Sequence, residues 1–208
     1  MMVRSADPNA KRLQIIQAAA AVFAKSGYDA ALMDDVAAAA GVSKGSLYDY
    51  FRNKEDLFYA VFEWFQRRLL DASVAEIAPG TDARAQVAAF AEAAVGALVA
   101  HVDLYPVTLE VWSAAAKPAS RQRFATAMRD LYSNYRGAVA ALIRVAQANG
   151  EIAAKANADV LAAVLIGAVD GVLLQYWLDP TFDARAWVRE FLENLFDGIG
   201  VRKSGEMP

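Results

Sequence analysis

An all-α chain is what these 208 residues predict, and three observations carry that reading. The apolar content is 57%, dominated by alanine, the best helix former. Prolines number only six. No run alternates apolar and polar residues long enough to form a half-buried strand. At roughly 150 residues per domain, the length suits one large domain or two modest ones, either able to bury a core without covalent staples. The absence of cysteine excludes disulfide frameworks and thiolate metal sites. The single histidine, His101, excludes His-clustered metal centres and leaves any Ser-His-Asp scheme one residue to use.

The elements follow in chain order. Residues 1–9 are polar and read as an arm, with Asn9 able to cap a first helix from about Ala10 to Lys25 and Gly27 to stop it. Leu13–Ala24 follows Lys11 and Arg12 and mimics a signal peptide, but Gln14 and Gln17 interrupt it. Ile15, Ala18/Ala19 and Val22 instead mark an amphipathic helix. A short helix spans about Met33–Ala40, ended by Gly41, and Ser43 caps a third through about Phe51. Asn53, with Asp56 three residues on, starts a fourth from Lys54 to about Ile77, whose apolar face is Phe58, Val61, Phe62, Phe65 and Leu69. Pro79-Gly80-Thr81-Asp82 is the clearest linker. Beyond it lie helical stretches near Asp82–His101, Tyr105–Ala116, Ala119–Asn149, Asn157–Leu178 and Asp183–Ile199, then a frayed tail from Arg202. Val160–Leu178 approaches a membrane-spanning length, but Asp170 near its middle makes a helix buried within protein the cheaper explanation. No membrane association is expected, and a cytoplasmic protein is.

Residues 32–51 hold the informative pattern. Ala37 offers a small inner face for close helix packing, Gly41 suits a sharp turn with positive φ, and Val42 and Leu47 supply apolar contacts that lock a second helix across the first. That is helix-turn-helix spacing, whose second helix enters the DNA major groove. The residues so presented are Ser43, Lys44, Gly45, Ser46, Tyr48, Asp49 and Tyr50. Ser and Lys donate to phosphates and bases, Gly45 permits close backbone approach, and the tyrosine hydroxyls reach phosphates. Asp49 can accept from a cytosine amino group or remain solvated. Lys54 stands at the positive end of the next helix, where phosphates bind. Residues 1–56 carry seven basic and seven acidic groups, so recognition must rest on placed donors rather than bulk charge.

Ile15, Ala18-Ala19, Val22-Phe23-Ala24, Gly27-Tyr28, Asp35-Val36-Ala37, Gly41 through Tyr48, Tyr50-Phe51 and Asn53 through Leu57 together resemble the TetR family of bacterial transcription regulators. The likeness is close over about residues 10–70. It implies a DNA-binding domain at 9–69 and an effector-binding and dimerisation domain at 79–201. It further implies a homodimer that holds a double-stranded operator and is released by a small molecule, with no cofactor, no metal and no enzymatic activity. Leu32 departs from the pattern, since the family usually carries Ser or Thr there to cap the second helix and touch a phosphate. Asp34 or a water could serve the free N–H groups instead.

Middle-helix residues would surround the effector cavity, and the candidate lining is Phe62, His101, Tyr105, Trp112, Phe124, Met128, Tyr132 and Asp170. Each has a plainer reading: the aromatics as core, and His101 as a helix C-terminal residue favoured by the dipole. Asp170 sits at the pocket, at the dimer seam or at an exposed bend; Asp170 or Glu110 would meet a cationic ligand. The mostly apolar body suggests a hydrophobic or aromatic effector. Leu165, Val169 and Leu173, with Val188, Leu192 and Leu195, form stripes on the last two helices that suit an isologous four-helix seam. The rival classes are a helical small-molecule carrier or enzyme and a protein-interaction module. The order Lys-Gly-Ser at 44–46 and the lack of a preceding strand exclude a phosphate loop.

Overall fold

The computed structural model describes residues 8–77, 82–117 and 121–199. Among these every regular element is helical: α1 Pro8–Ala30, α2 Met33–Ala39, α3 Lys44–Tyr50, α4 Lys54–Ala75, α5 Ala83–Val99, α6 Tyr105–Ala116, α7 Arg121–Ala148, α8 Ala158–Leu178 and α9 Ala184–Ile199, with one 3-10 turn at Val102–Leu104. The Pro79–Thr81 linker, Pro118, Ala119 and the tail from Arg202 lie outside the described residues.

Local chemistry sets most boundaries. Ser43, Asp82 and Asn157 each accept from backbone N–H groups of the turn they precede, as do Asn53 and Asp183. At the end of α2, Gly41 adopts φ 63°. Its N–H donates to Ala38 while the Val42 N–H reaches back to Ala37, the paired closure that a left-handed residue permits. One expectation at α1 changes and one holds. Asn9 lies inside the helix, one residue past Pro8, which suits a first turn because its missing N–H has no partner there anyway. Gly27 (φ 73°, ψ 169°) stops the first run of α1 as expected, its non-helical backbone kinking the chain before a further short helical turn through Ala30.

The chain divides into two compact units. The first takes residues up to Arg68 together with Asp103–Ala127; the second takes Leu69–Val102 together with the chain from Met128. In the first, α1 packs on α2 and α6, and α2 on α3. Its core joins Ile15, Ile16, Phe23, Val36, Leu47, Phe51, Phe58, Val61, Phe62 and Phe65, all buried. Phe58 is the hub, edge-on to Phe23 at 5.2 Å and tilted against Tyr28 at 4.8 Å and Phe124 at 6.1 Å. In the second unit, α5 packs on α8 and α9, which also pack on each other. Ion pairs Arg84–Asp197 and Arg144–Asp159, at 3.0 and 2.7 Å, tie its helices at the surface, as does Arg189 with Glu92.

Candidate nucleic-acid interface

The α2–α3 pair is built around two buried positions. Ala37 on α2 and Leu47 on α3 are both in the core, the first small enough for close approach and the second filling the space it leaves. Because side chains on one helical face recur every three to four residues, burying Leu47 turns Lys44, Gly45, Tyr48 and Asp49 outward together, and all four are exposed. Ser46 and Tyr50 are half-buried at the edges of that face. Ser43 is exposed, and its oxygen accepts from the Ser46 N–H at 3.2 Å. Gln14, read from the sequence only as an interruption, braces the motif from outside. Its amide donates to the Ala40 carbonyl at 2.8 Å, tying α1 to the turn between α2 and α3.

Two lysines differ from their simplest reading. Lys44 pairs with Asp34 across the motif at 2.8 Å. Both side chains are exposed, so the pair is weak and water or an approaching phosphate can replace it. The Asp34 carboxylate is thereby occupied away from the start of α2, where Leu32 makes no side-chain cap and is 60% exposed. Lys54 turns inward. Its ammonium donates to the carbonyls of Tyr28, Asp29 and Ala31 at 2.7, 2.9 and 3.1 Å, and lies 4.7 Å from the Tyr28 ring centre. Three donors meet three acceptors, which takes the side chain out of the set free to hold a phosphate. Lys54 ties the end of α1 to the start of α4.

The effector candidates do not all fall in one unit. Phe62, Tyr105, Trp112 and Phe124 belong to the first, where three are core residues and Trp112, at 52% exposure, is a surface residue. His101, Met128, Tyr132 and Asp170 belong to the second. There the Tyr132 hydroxyl donates to Asp170 at 2.6 Å. Burial pushes the Asp170 carboxyl above the usual carboxylate range, and this hydrogen bond offsets part of that rise. Burial, with the Asp170 charge behind it, pushes the nearby Tyr135 phenol up to about 12.

A groove of about 400 Å³ runs between α8 and α9, lined chiefly by Leu165, Val169, Val172, Trp187, Val188 and Phe191. Four of the six residues read as a seam (Leu165, Val169, Val188 and Leu192) line it; Leu173 is buried and Leu195 half-buried nearby. On the same two helices Val160, Val164, Leu174, Leu178, Trp187 and Phe191 are exposed. By length and composition α8 could cross a membrane, though a core helix of a soluble protein passes the same test.

A capped, outward-facing short helix locked across its neighbour by a Gly turn defines a helix-turn-helix transcription regulator. Comparison with known proteins gives the particular family. Residues 15–61 match the model for bacterial regulatory proteins of the tetR family, and residues 83–197 that for the C-terminal region of BetI-type transcriptional repressors. The chain belongs to the TetR family. The fatty acid metabolism regulator protein of Bacillus subtilis (strain 168) is 25% identical over 191 residues, covering 91% of this chain and 95% of that one. The solved structure of FadR from Bacillus subtilis in complex with stearoyl-CoA superposes with TM-score 0.77 and 25% identity, over 90% of this chain and 98% of that one. A regulator from Saccharomonospora viridis in complex with choline superposes with TM-score 0.77 and 24% identity, over 93% and 100% of the two chains.

Proposed function

We propose that this protein is a homodimeric repressor whose paired α3 helices occupy successive major grooves of an operator and which a small, largely hydrophobic effector releases. The observation that carries the DNA half of this reading is the exposed face of α3, where Lys44, Gly45, Tyr48 and Asp49 turn outward over a buried Leu47. Ser43, Ser46 and Tyr50 border it. Residues 9–69 are assigned to DNA binding and 79–201 to effector binding and dimerisation. Half-sites would then lie roughly 34 Å apart, one turn of the duplex. Stearoyl-CoA on one relative's structure supports an apolar effector. In this chain His101, Met128, Tyr132 and Asp170 are the residues we assign to it.

Dimerisation is supported by the apolar faces of α8 and α9. Large exposed apolar patches on a protein surface mark partner sites, and a two-fold pairing of both helices would cover this one with a copy of itself. A regulator that works on chromosomal DNA is cytoplasmic. The test is operator selection from random duplex DNA with the purified protein, followed by light scattering of the free and bound forms. A palindromic site bound by two chains supports the reading; selection of no sequence, or one chain per site, counts against it. Phe191→Glu, placed on the exposed seam, should give a folded monomer with operator affinity reduced by at least about tenfold, the effect of losing about 1.4 kcal/mol.

A further inference from the structure

The helix-turn-helix is short of positive charge where it is read as meeting DNA. Residues 33–50 carry Asp34, Asp35 and Asp49 against Lys44 alone, three minus to one plus, a net charge of −2. Lys44 is the single basic residue of α3, and Lys54 on the next helix is held by backbone carbonyls. Yet the Lys44 ammonium is already engaged. From the first turn of α3 it lies 2.8 Å from one carboxylate oxygen of Asp34, in the first turn of α2, and donates to the other at 3.1 Å. That hydrogen bond and the Asp34 charge hold the ammonium above its ordinary pKa, so the proton stays and its charge is met inside the motif. Neither residue belongs to another ion pair among the described residues. Both side chains are more than half exposed, so a phosphate approaching α3 has access to the pair.

A carboxylate that takes an ammonium with both oxygens does what a DNA phosphate does, offering an anion with paired acceptors at hydrogen-bond distance. Lys44 therefore cannot bind a phosphate without giving up Asp34, and the phosphate that displaces Asp34 draws near a second negative charge. We propose that Asp34 is an autoinhibitory stand-in for a phosphate, which Lys44 exchanges for the DNA backbone when α3 is seated. This rests on the reading of α3 as the helix that reads DNA and deepens it. An exposed pair is held weakly, so the exchange goes forward where base contacts keep one phosphate in place against α3. On other sequences phosphates pass at shifting distances behind water and ions, the pair stays closed, and Lys44 releases no counterions. Asp34 thus lowers affinity for both kinds of DNA, and for the operator by the whole strength of the pair. The operator is held less tightly than the donors allow, which keeps release within reach of an effector of limited differential affinity.

Fluorescence anisotropy of the intact protein on the selected operator and on a scrambled duplex of equal length, each over a series of salt concentrations, tests this. Asp34→Asn keeps the shape of the side chain and removes its charge. It should tighten operator binding about two- to fivefold per subunit, the range of an exposed ion pair. The salt slope there should stay the same, because Lys44 reaches a phosphate on the operator in either protein. On the scrambled duplex the slope should steepen by about 0.9 per subunit as Lys44 becomes free. In a Lys44→Ala background Asp34→Asn should leave both slopes alone and lose most of its gain in affinity. Asp34→Ser, which removes the same charge, should reproduce the pattern, with circular dichroism and light scattering checking that each variant is a folded dimer. An equal gain with and without Lys44 would overturn the proposal, because Asp34 would then act only through its own repulsion of DNA. Unchanged or weaker operator binding in the Asp34 variants would overturn it as well. If Lys44→Ala alone leaves operator affinity and sequence preference intact, the reading of α3 falls. If it weakens operator binding and the Asp34 gain persists beside it, only the autoinhibitory contact falls.

Discussion

Arg123, in the first turn of α7, donates to Asp56 in the first turn of α4 at 2.6 Å. Its guanidinium also stands 3.8 Å from Glu55 and 4.2 Å from the centre of the Tyr59 ring, and the adjoining Phe124 packs on Phe58 and Tyr59. The start of α7 is therefore clamped to the start of α4 within the unit that also holds α3. An effector can move the operator equilibrium only through a difference in affinity between two arrangements, and this clamp is a contact that such arrangements can keep or break.

A double-mutant cycle with Arg123→Ala and Asp56→Asn should give a coupling energy of about 0.5–1 kcal/mol, because both partners are part-exposed and water screens the pair. Operator affinity without effector should change little in Arg123→Ala, whereas the effector concentration needed for release should shift. Fluorescence anisotropy with labelled operator reads both. A coupling energy of zero would show that the pair holds nothing.

Lys54→Met should destabilise the protein by at least about 2 kcal/mol, since three carbonyls lose a charged donor and hydrogen bonds to charged groups are worth about 1.5–3 kcal/mol. Urea unfolding checks the loss. The salt dependence of operator binding should stay the same, because a lost phosphate contact would lower the slope by about one and Lys54 is spent on backbone carbonyls.

Leu32→Thr should stabilise the protein by about 0.5–2 kcal/mol by supplying the side-chain cap that α2 lacks. It also removes a large exposed apolar group. Operator affinity should rise with it, through a hydroxyl available for a phosphate at the edge of the motif. Thermal melts and binding titrations on the same variant separate the two effects.

Asp170 sets a pH dependence of stability. Its carboxyl holds its proton more tightly folded than unfolded, so the unfolded chain ionises first as pH rises. The folded state accordingly loses stability upward from about pH 4, the ordinary carboxyl value, until the raised folded value is passed. Asp170→Asn removes this loss. Without ligand, its stability relative to the wild type should be greater at pH 7.5 than at pH 4, and denaturant titrations at the two pH values give the difference. A difference independent of pH would place the Asp170 carboxyl in an ordinary solvated setting.

What could be read from the sequence follows the range of the interactions. Ser43 and Asn53 were legible as caps because a cap acts on N–H groups two or three residues away. Gly41 was legible because a turn of that geometry needs positive φ. The Lys54 contacts were not, since the carbonyls it holds are 23 to 26 residues away and no local pattern joins them to it. Asp56 and Arg123 lie 67 residues apart, and no local pattern pairs them. Trp112 reads as core by composition alone; only the packing of α6 on α1 decides which of its faces is covered.

The most direct test is operator binding by wild-type protein and by Lys44→Ala/Tyr48→Ala, on the selected DNA, across a range of salt concentrations. Wild-type protein should protect two half-sites about one helical turn apart with an affinity that falls steeply with salt, and the double variant should remain a folded dimer that no longer prefers that sequence. Retention of full sequence preference by the double variant would contradict the assignment of α3 as the helix that reads DNA.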